Sequence, residues 1–291
     1  MRVVLRRETP SDRRTVEEVT REAFWGMSGP GCDEHLLVHR LRGSPSVVPE
    51  LDVVAEVDGV VVGHVIYTRA RVVGRDRSWD VLTFGPLTVH PSYQGSGLGC
   101  ALMRHTLGEA AALGHRAVLV YGHPDYYPRF GFVRGAAVGI TAPGGATFDA
   151  LMALALVPGG LDDVHGEFHE DAAFRIDPAD VAAFDATFPA KAPAVPTPVG
   201  VLEGRVATPA LEALRSHGVA HLEEMHRYST AEVTAWEGVG TTGRDALHAA
   251  LRERGVRWGR SRAGADVGPA SAGGVPGVRR SAGTPRPRRG G

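Results

Sequence analysis

One stretch constrains this chain more than any other: Leu87-Thr-Val-His-Pro-Ser-Tyr-Gln-Gly-Ser-Gly-Leu-Gly-Cys-Ala-Leu-Met103. A β-rich run enters a turn holding Gly95, Gly97 and Gly99, and an apolar run with helical spacing leaves it. Glycine accepts positive φ and lets other groups approach the backbone closely. A helix N-terminus offers amide N–H groups and the positive end of a dipole, so a strand, glycine turn and helix in this order suit a phosphate.

The surrounding sequence supplies a sheet for that unit. Residues 3–5 are a short β-rich run, and 10–24, with Ser11 and Asp12 near its start, and 32–41 read as helices, the second carrying Leu36, Leu37 and Leu41 at helical spacing. Runs 53–57 and 60–67 flank Asp58-Gly59, a pair suited to a two-residue hairpin because both turn positions need positive φ. Residues 81–89 read as one strand, 97–113 as a helix closed by Gly114, 117–121 and 151–157 as strands, and 179–188 as a helix. Strands and helices alternate with a hairpin among them, which predicts a mixed α/β sheet.

Composition removes several classes. The 291 residues are 43% apolar and 22% charged with a formal charge of −1, ordinary for a globular protein and no sign of a nucleic-acid binder. No run approaches the ~18 apolar residues of a membrane span, and the N-terminus lacks the apolar stretch of a signal peptide. Two cysteines, Cys32 and Cys100, make neither a disulfide framework nor a four-ligand zinc site, so the expectation is a cytoplasmic protein without a metal.

The glycine loop itself excludes some phosphate ligands. A nucleotide-hydrolase loop needs Gly-Lys-Ser/Thr, and no lysine is present. A dinucleotide loop is followed by a strand ending in an acid, whereas this strand ends in Tyr121-Gly122.

Gln94-Gly-Ser-Gly-Leu-Gly99 resembles the pyrophosphate-binding motif of the GNAT acyltransferases, Gln/Arg-x-x-Gly-x-Gly/Ala. Leu87-Thr-Val89 resembles the splayed strand that pairs with the pantetheine arm, and Tyr127-Pro-Arg-Phe-Gly-Phe132 is similar to the family's Tyr-x-x-x-Gly-Phe signature. Gly85-Pro-Leu-Thr-Val89, Met152-Ala-Leu-Ala-Leu-Val-Pro-Gly159 and Phe184-Asp-Ala-Thr-Phe-Pro189 resemble the YhbS-like subgroup, so the likeness spans residues 1–190.

The resemblance implies a mixed, mostly antiparallel sheet flanked by helices, with acetyl-CoA or another acyl-CoA as donor and an amine as acceptor. It places the donor on Leu87, Thr88, Val89, Gln94, Gly95, Ser96, Gly97, Leu98 and Gly99. The backbone N–H near Val89 would polarise the thioester carbonyl, and Tyr127 would protonate the leaving thiolate; packing beside Phe130 and Phe132 is the other role open to Tyr127. Many relatives carry a basic glutamate on the strand before the loop, where this chain has Thr83-Phe84-Gly85. The base is then Glu34, His123, Asp125 or a chain of waters; a solvated acid on the second helix is the other role open to Glu34. The missing glutamate leaves a rival reading, a non-catalytic acyl-CoA sensor.

Other motifs carry less. His165 and His169 are too far apart in a strand to share a metal, and are expected on the surface. Cys100 is expected to pack as a small apolar residue.

Four prolines between 189 and 200 mark a semi-rigid linker. The predicted organisation is an acyltransferase domain over 1–190, a linker over 191–203, a helical domain over 204–258, and a disordered Arg-rich tail over 259–291 with seven arginines against one acid. In the helical domain, Thr208-Pro209 opens a helix, Ser229-Thr-Ala-Glu232 is a capping box, and Gly238-Val-Gly240 separates two helices. This pattern is similar to the helix-hairpin-helix domain at the C-terminus of the bacterial RNA polymerase α subunit, which implies a DNA or protein partner. The linker's small residues predict few contacts across it, with a front segment that works alone.

Overall fold

The computed structural model describes residues 2–27 and 29–253. The predicted tail, and the end of the helical domain after residue 253, lie outside the described residues. The front of the chain runs β1 (Val3–Arg7), α1 (Arg13–Phe24), α2 (Glu34–Gly43), β2 (Val53–Val57), β3 (Val60–Val65), β4 (Tyr67–Val73), β5 (Ser78–Phe84) and β6 (Thr88–Val89). It continues with α3 (Leu98–Ala112), β7 (Ala117–Tyr121), β8 (Val133–Arg134), β9 (Ile140–Thr141), β10 (Leu151–Ala155), β11 (Gly166–His169) and α4 (Pro178–Asp185).

The Asp58-Gly59 turn is the hairpin its sequence predicts, with φ of 50° and 86°, and it joins β2 to β3 in antiparallel register. The strand expected over 81–89 is instead two. β5 pairs in parallel with β7 at Leu82–Val118 and Thr83–Leu119. Beyond Gly85 the chain crosses to β6, which pairs antiparallel with β3 at Gly63–Val89 and His64–Thr88. The sheet therefore divides into orders β1-β2-β3-β6 and β8-β10-β7-β5-β4-β11-β9. β6 ends the first sheet, while β7 lies inside the second, between β10 and β5. Most pairings are antiparallel; β5–β7 and β9–β11 are parallel.

Alternation along the strands distributes side chains to the two faces. Val53, Ala55, Val65, Tyr67, Leu82 and Phe84 pack against Leu102, Met103 and Ala110 of α3. Val54 and Val61 face the other way, onto Val16 of α1 and Val38 of α2. Each fully buried aliphatic side chain contributes about 1.5–3 kcal/mol, so the helices clamp the sheet from both sides. Sequence reading stops short on β4, whose Arg69 and Arg71 alternate with buried Ala70 and Val72. It also places Asp12 at the start of a helix, but the Asp12 carboxylate accepts from Arg6 at 2.7 and 2.9 Å and from Thr9, and makes no cap.

After the linker come α5 (Thr208–Ser216), α6 (Thr230–Ala235) and α7 (Gly240–Glu253). They enclose a separate core that includes Leu202, Leu211, Leu214, Leu222, Met225, Leu247 and Leu251. The predicted capping box is formed: Ser229 Oγ accepts from Glu232 N at 3.0 Å, and Glu232 Oε2 accepts from Ser229 N at 2.6 Å. Gly238 turns the chain between α6 and α7 at φ 87°, where an added Cβ would also meet Pro209 at 2.9 Å. Among the described residues no helix is long and apolar enough to cross a membrane.

Candidate active site

The glycine loop opens onto a cavity of about 360 Å³. Its floor is the loop: Gln94, Gly95, Gly97, Leu98, Gly99 and Cys100. Leu87 and Val89 line one side, Phe24 and Met27 the end of α1, and Tyr126 and Arg129 the facing wall. Gly95 and Gly97 stand at φ 81° and 92°, so the turn requires glycine twice. A Cβ on Gly97 would meet nothing within 4 Å, so the backbone there faces open space. Gly97 caps α3, whose first turn holds no acid. Such a bare helix N-terminus beside open glycine backbone fits the pyrophosphate of an acyl-CoA.

Side chains of the loop brace it rather than fill it. Gln94 Nε2 donates to Val89 O at 2.9 Å, tying the loop to β6, and Ser96 Oγ donates to Tyr93 O at 2.5 Å. Thr88 turns away from the cavity, its hydroxyl 3.1 Å from that of Thr20 on α1. Leu87 and Val89 therefore line the cavity, whereas the Thr88 side chain is directed to α1.

The two adjacent tyrosines take different surroundings. Tyr127 is fully enclosed, with ring centroids 5.6 Å from Phe84 and 5.4 Å from Phe132. Tyr126 lines the cavity, its hydroxyl 4.0 Å from Cys100 Sγ and 3.0 Å from where a Cβ on Gly99 would stand. Burial, with Cys100 beside it, raises the Tyr126 phenol above its ordinary value. The Arg129 guanidinium lies 4.5 Å from the Tyr126 ring centroid, a cation–π contact that holds both on the wall.

None of the three predicted bases, Glu34, His123 and Asp125, lines the cavity. Glu34 is not a solvated helix acid: it is 0% exposed at the start of α2, and its carboxylate accepts from Asp33 N at 3.2 Å. His123 is 4% exposed, and its Nδ1 accepts from Asp125 N at 3.2 Å. Burial lowers its proton affinity, while Asp125, the Tyr228 backbone and Glu232 act the other way. Asp125 is engaged by the helical module: its Oδ2 accepts from Thr230 N at 2.7 Å and Thr230 Oγ1 at 2.6 Å. His165 and His169 are exposed, as expected.

Sequence reading missed Phe24, Met27 and Arg129 as cavity walls. Only Arg129 carried a signal, its place inside the Tyr127–Phe132 signature. It also missed Glu8, Asp52 and His64, whose ligand-type atoms lie within 4.8 Å of one another. Arg42 Nε donates to Glu8 at 2.8 Å and His64 Nε2 lies 2.7 Å from Asp52, so the cluster's polar groups are engaged with one another and with Arg42.

Residues 50–134 match the family model described as an acetyltransferase (GNAT) domain. The chain is 38% identical over 122 residues to the uncharacterized N-acetyltransferase YjhQ of Escherichia coli strain K12, covering 42% of this chain and 65% of YjhQ. It is 30% identical over 170 residues to the uncharacterized N-acetyltransferase YhbS of the same strain, covering 58% of this chain and 97% of YhbS. The crystal structure of Escherichia coli YhbS in complex with CoA superposes with a TM-score of 0.53 at 28% identity, covering 60% of this chain and 92% of that one. The fold and the cleft thus define an acyltransferase of the GNAT type. The chain belongs to the GNAT acetyltransferase family.

Proposed function

We propose that residues 1–190 transfer an acetyl group from acetyl-CoA to an amine. The cavity carries this reading: it joins the glycine loop, the N-terminus of α3 and the open edge of β6 in one cleft. A structure of YhbS holds CoA, and this chain covers 92% of that protein. Bound in the cleft, acetyl-CoA supplies an activated acetyl group. The amides of Gly95 to Gly99 hold its pyrophosphate, and the free edge of Leu87–Val89 pairs with the pantetheine arm. Val89 N–H points at the thioester carbonyl, where a preorganised donor stabilises developing negative charge.

Tyr127, by its motif position, is the source proposed for the proton that the leaving thiolate takes, although its ring is enclosed and it is the neighbouring Tyr126 that lines the cleft wall. Glu34 and His123 reach the acceptor amine only through intervening groups, so a relay through water moves the amine's proton toward one of them. The two free thiols, Cys32 and Cys100, suit a reducing cytoplasm. The test is thiol release from acetyl-CoA across a library of small amines and peptides. Release that depends on one amine class supports the reading and names the acceptor.

The burial of both Glu34 and His123 favours a second reading, an acyl-CoA sensor without turnover. In that case the α6–α7 pair, read as a helix-hairpin-helix, carries the signal to a DNA or protein partner. Acyl-CoA binding without thiol release for any amine supports it.

A further inference from the structure

The chain beyond residue 190 touches both walls of the donor cleft. On one wall, Tyr126 and Arg129 belong to the loop 122–130 that follows β7. Asp125 sits in the middle of that loop, and its Oδ2 accepts two hydrogen bonds from Thr230, 105 residues away, at 2.7 and 2.6 Å. Within the loop the contacts are continuous. Asp125 N donates to His123 Nδ1 at 3.2 Å, and Tyr126 N donates to His123 O at 2.9 Å. Arg129 Nε donates to Tyr126 O at 2.8 Å, and its guanidinium covers the Tyr126 ring. Fixing Asp125 therefore fixes the backbone that carries Tyr126 and Arg129.

On the other wall, Phe24 and Met27 end α1 and begin the loop to α2. Trp25 Nε1 donates to Ala192 O at 3.0 Å, and Ala194 N donates to Pro30 O at 2.8 Å. Lys191 Nζ lies 2.6 Å from Glu22. The segment read from sequence as a semi-rigid linker with few contacts is laid along this wall.

We infer that the helical module is a working part of the donor site, with Thr230 acting through Asp125 as a positioning residue for the Tyr126–Arg129 wall. The YhbS likeness covers 58% of this chain and 97% of YhbS, so the rest of this chain has no counterpart in that likeness. The physical reason is entropy. A loop of nine residues holding two ligand-facing side chains loses affinity if it must be ordered on binding, and a double hydrogen bond to a carboxylate pre-orders it.

This inference rests on the donor-site reading, and CoA itself is the probe. Full-length wild type, Thr230→Val, Asp125→Asn and Thr230→Ser are compared by calorimetry with CoA and by amide hydrogen exchange over 122–130. Thr230→Val and Asp125→Asn are expected to bind CoA roughly five- to tenfold more weakly, the loss of one or two hydrogen bonds to a charged group, with faster exchange in the loop. Thr230→Ser keeps both donors and should restore wild-type affinity. Val233→Ala, in the module's own core, should lower the melting temperature and leave CoA affinity unchanged. Wild-type affinity in both Thr230→Val and Asp125→Asn overturns the inference, as does an equal affinity loss in Val233→Ala. Absence of CoA binding by wild type overturns the donor-site reading, and this inference with it.

Discussion

The ring of Tyr127 lies against the backbone of Gly122, so closely that a Cβ there would stand 2.1 Å from ring atom Cε2. Gly122 follows β7, and Phe84 and Phe132 close round the same ring from other sides. The motif tyrosine is thus held by a glycine that lies outside the Gly95–Gly99 loop. Gly122→Ala must move the ring or the strand, and overpacking of this kind costs about 1–3 kcal/mol. Urea denaturation should show the loss, and an unchanged midpoint would mean that the ring has room to shift.

Gly97→Glu should weaken CoA binding at least tenfold. The residue stands at φ 92°, beside open space, at the N-terminus of α3. A carboxylate there adds strain, bulk and a charge of the same sign as the pyrophosphate. Calorimetry on the folded variant is the measurement, and wild-type affinity would remove the phosphate from this loop.

Tyr127→Phe and Tyr126→Phe should separate two roles. Tyr127→Phe keeps the enclosed ring and removes only a hydroxyl. Its kcat should fall about 100-fold with CoA affinity little changed, as expected for a proton donor used in the transition state. Tyr126→Phe should change KM for the donor more than kcat. The reverse pattern would transfer the acid role to Tyr126, whose hydroxyl faces the cleft.

Stability should fall as the solution is acidified from neutral pH. Burial holds both His35, at 0% exposure, and His123, at 4%, below the ordinary imidazole value, with Asp185 opposing the effect on His35. The unfolded chain takes up these protons near pH ~6.5, and the folded chain only at lower pH. The stabilisation is therefore complete above about pH 6.5 and is lost as pH falls through the folded values. Urea midpoints at pH 7.5 and 5.5 should show the drop, and His35→Gln combined with His123→Gln should make it shallower.

Much of the fold could be read residue by residue. Asp58-Gly59 announces its hairpin, Gly97 and Gly114 bound α3, and Ser229 and Glu232 cap α6, because each requirement is met within a few residues. The donor loop was legible for the same reason. Its order, strand then glycines then helix, is set by neighbouring residues alone. The break at Gly85 was not legible, since 81–89 is β-rich throughout and only pairing with β3 on one side and β7 on the other divides it. The catalytic candidates were the least legible. Glu34 reads as a surface helix acid, yet α2 turns it inward.

By itself the sequence determined the elements that short-range physics controls: turns that need positive φ, helix ends that need caps, and the alternation that assigns strand faces. Tertiary structure alone decided that Tyr126 rather than Tyr127 lines the cleft, that His123 is covered, and that Asp125 belongs to Thr230. Burial and hydrogen-bond partners depend on segments far apart in the chain, here by 105 residues. No local pattern encodes which of two neighbouring side chains such a segment will meet.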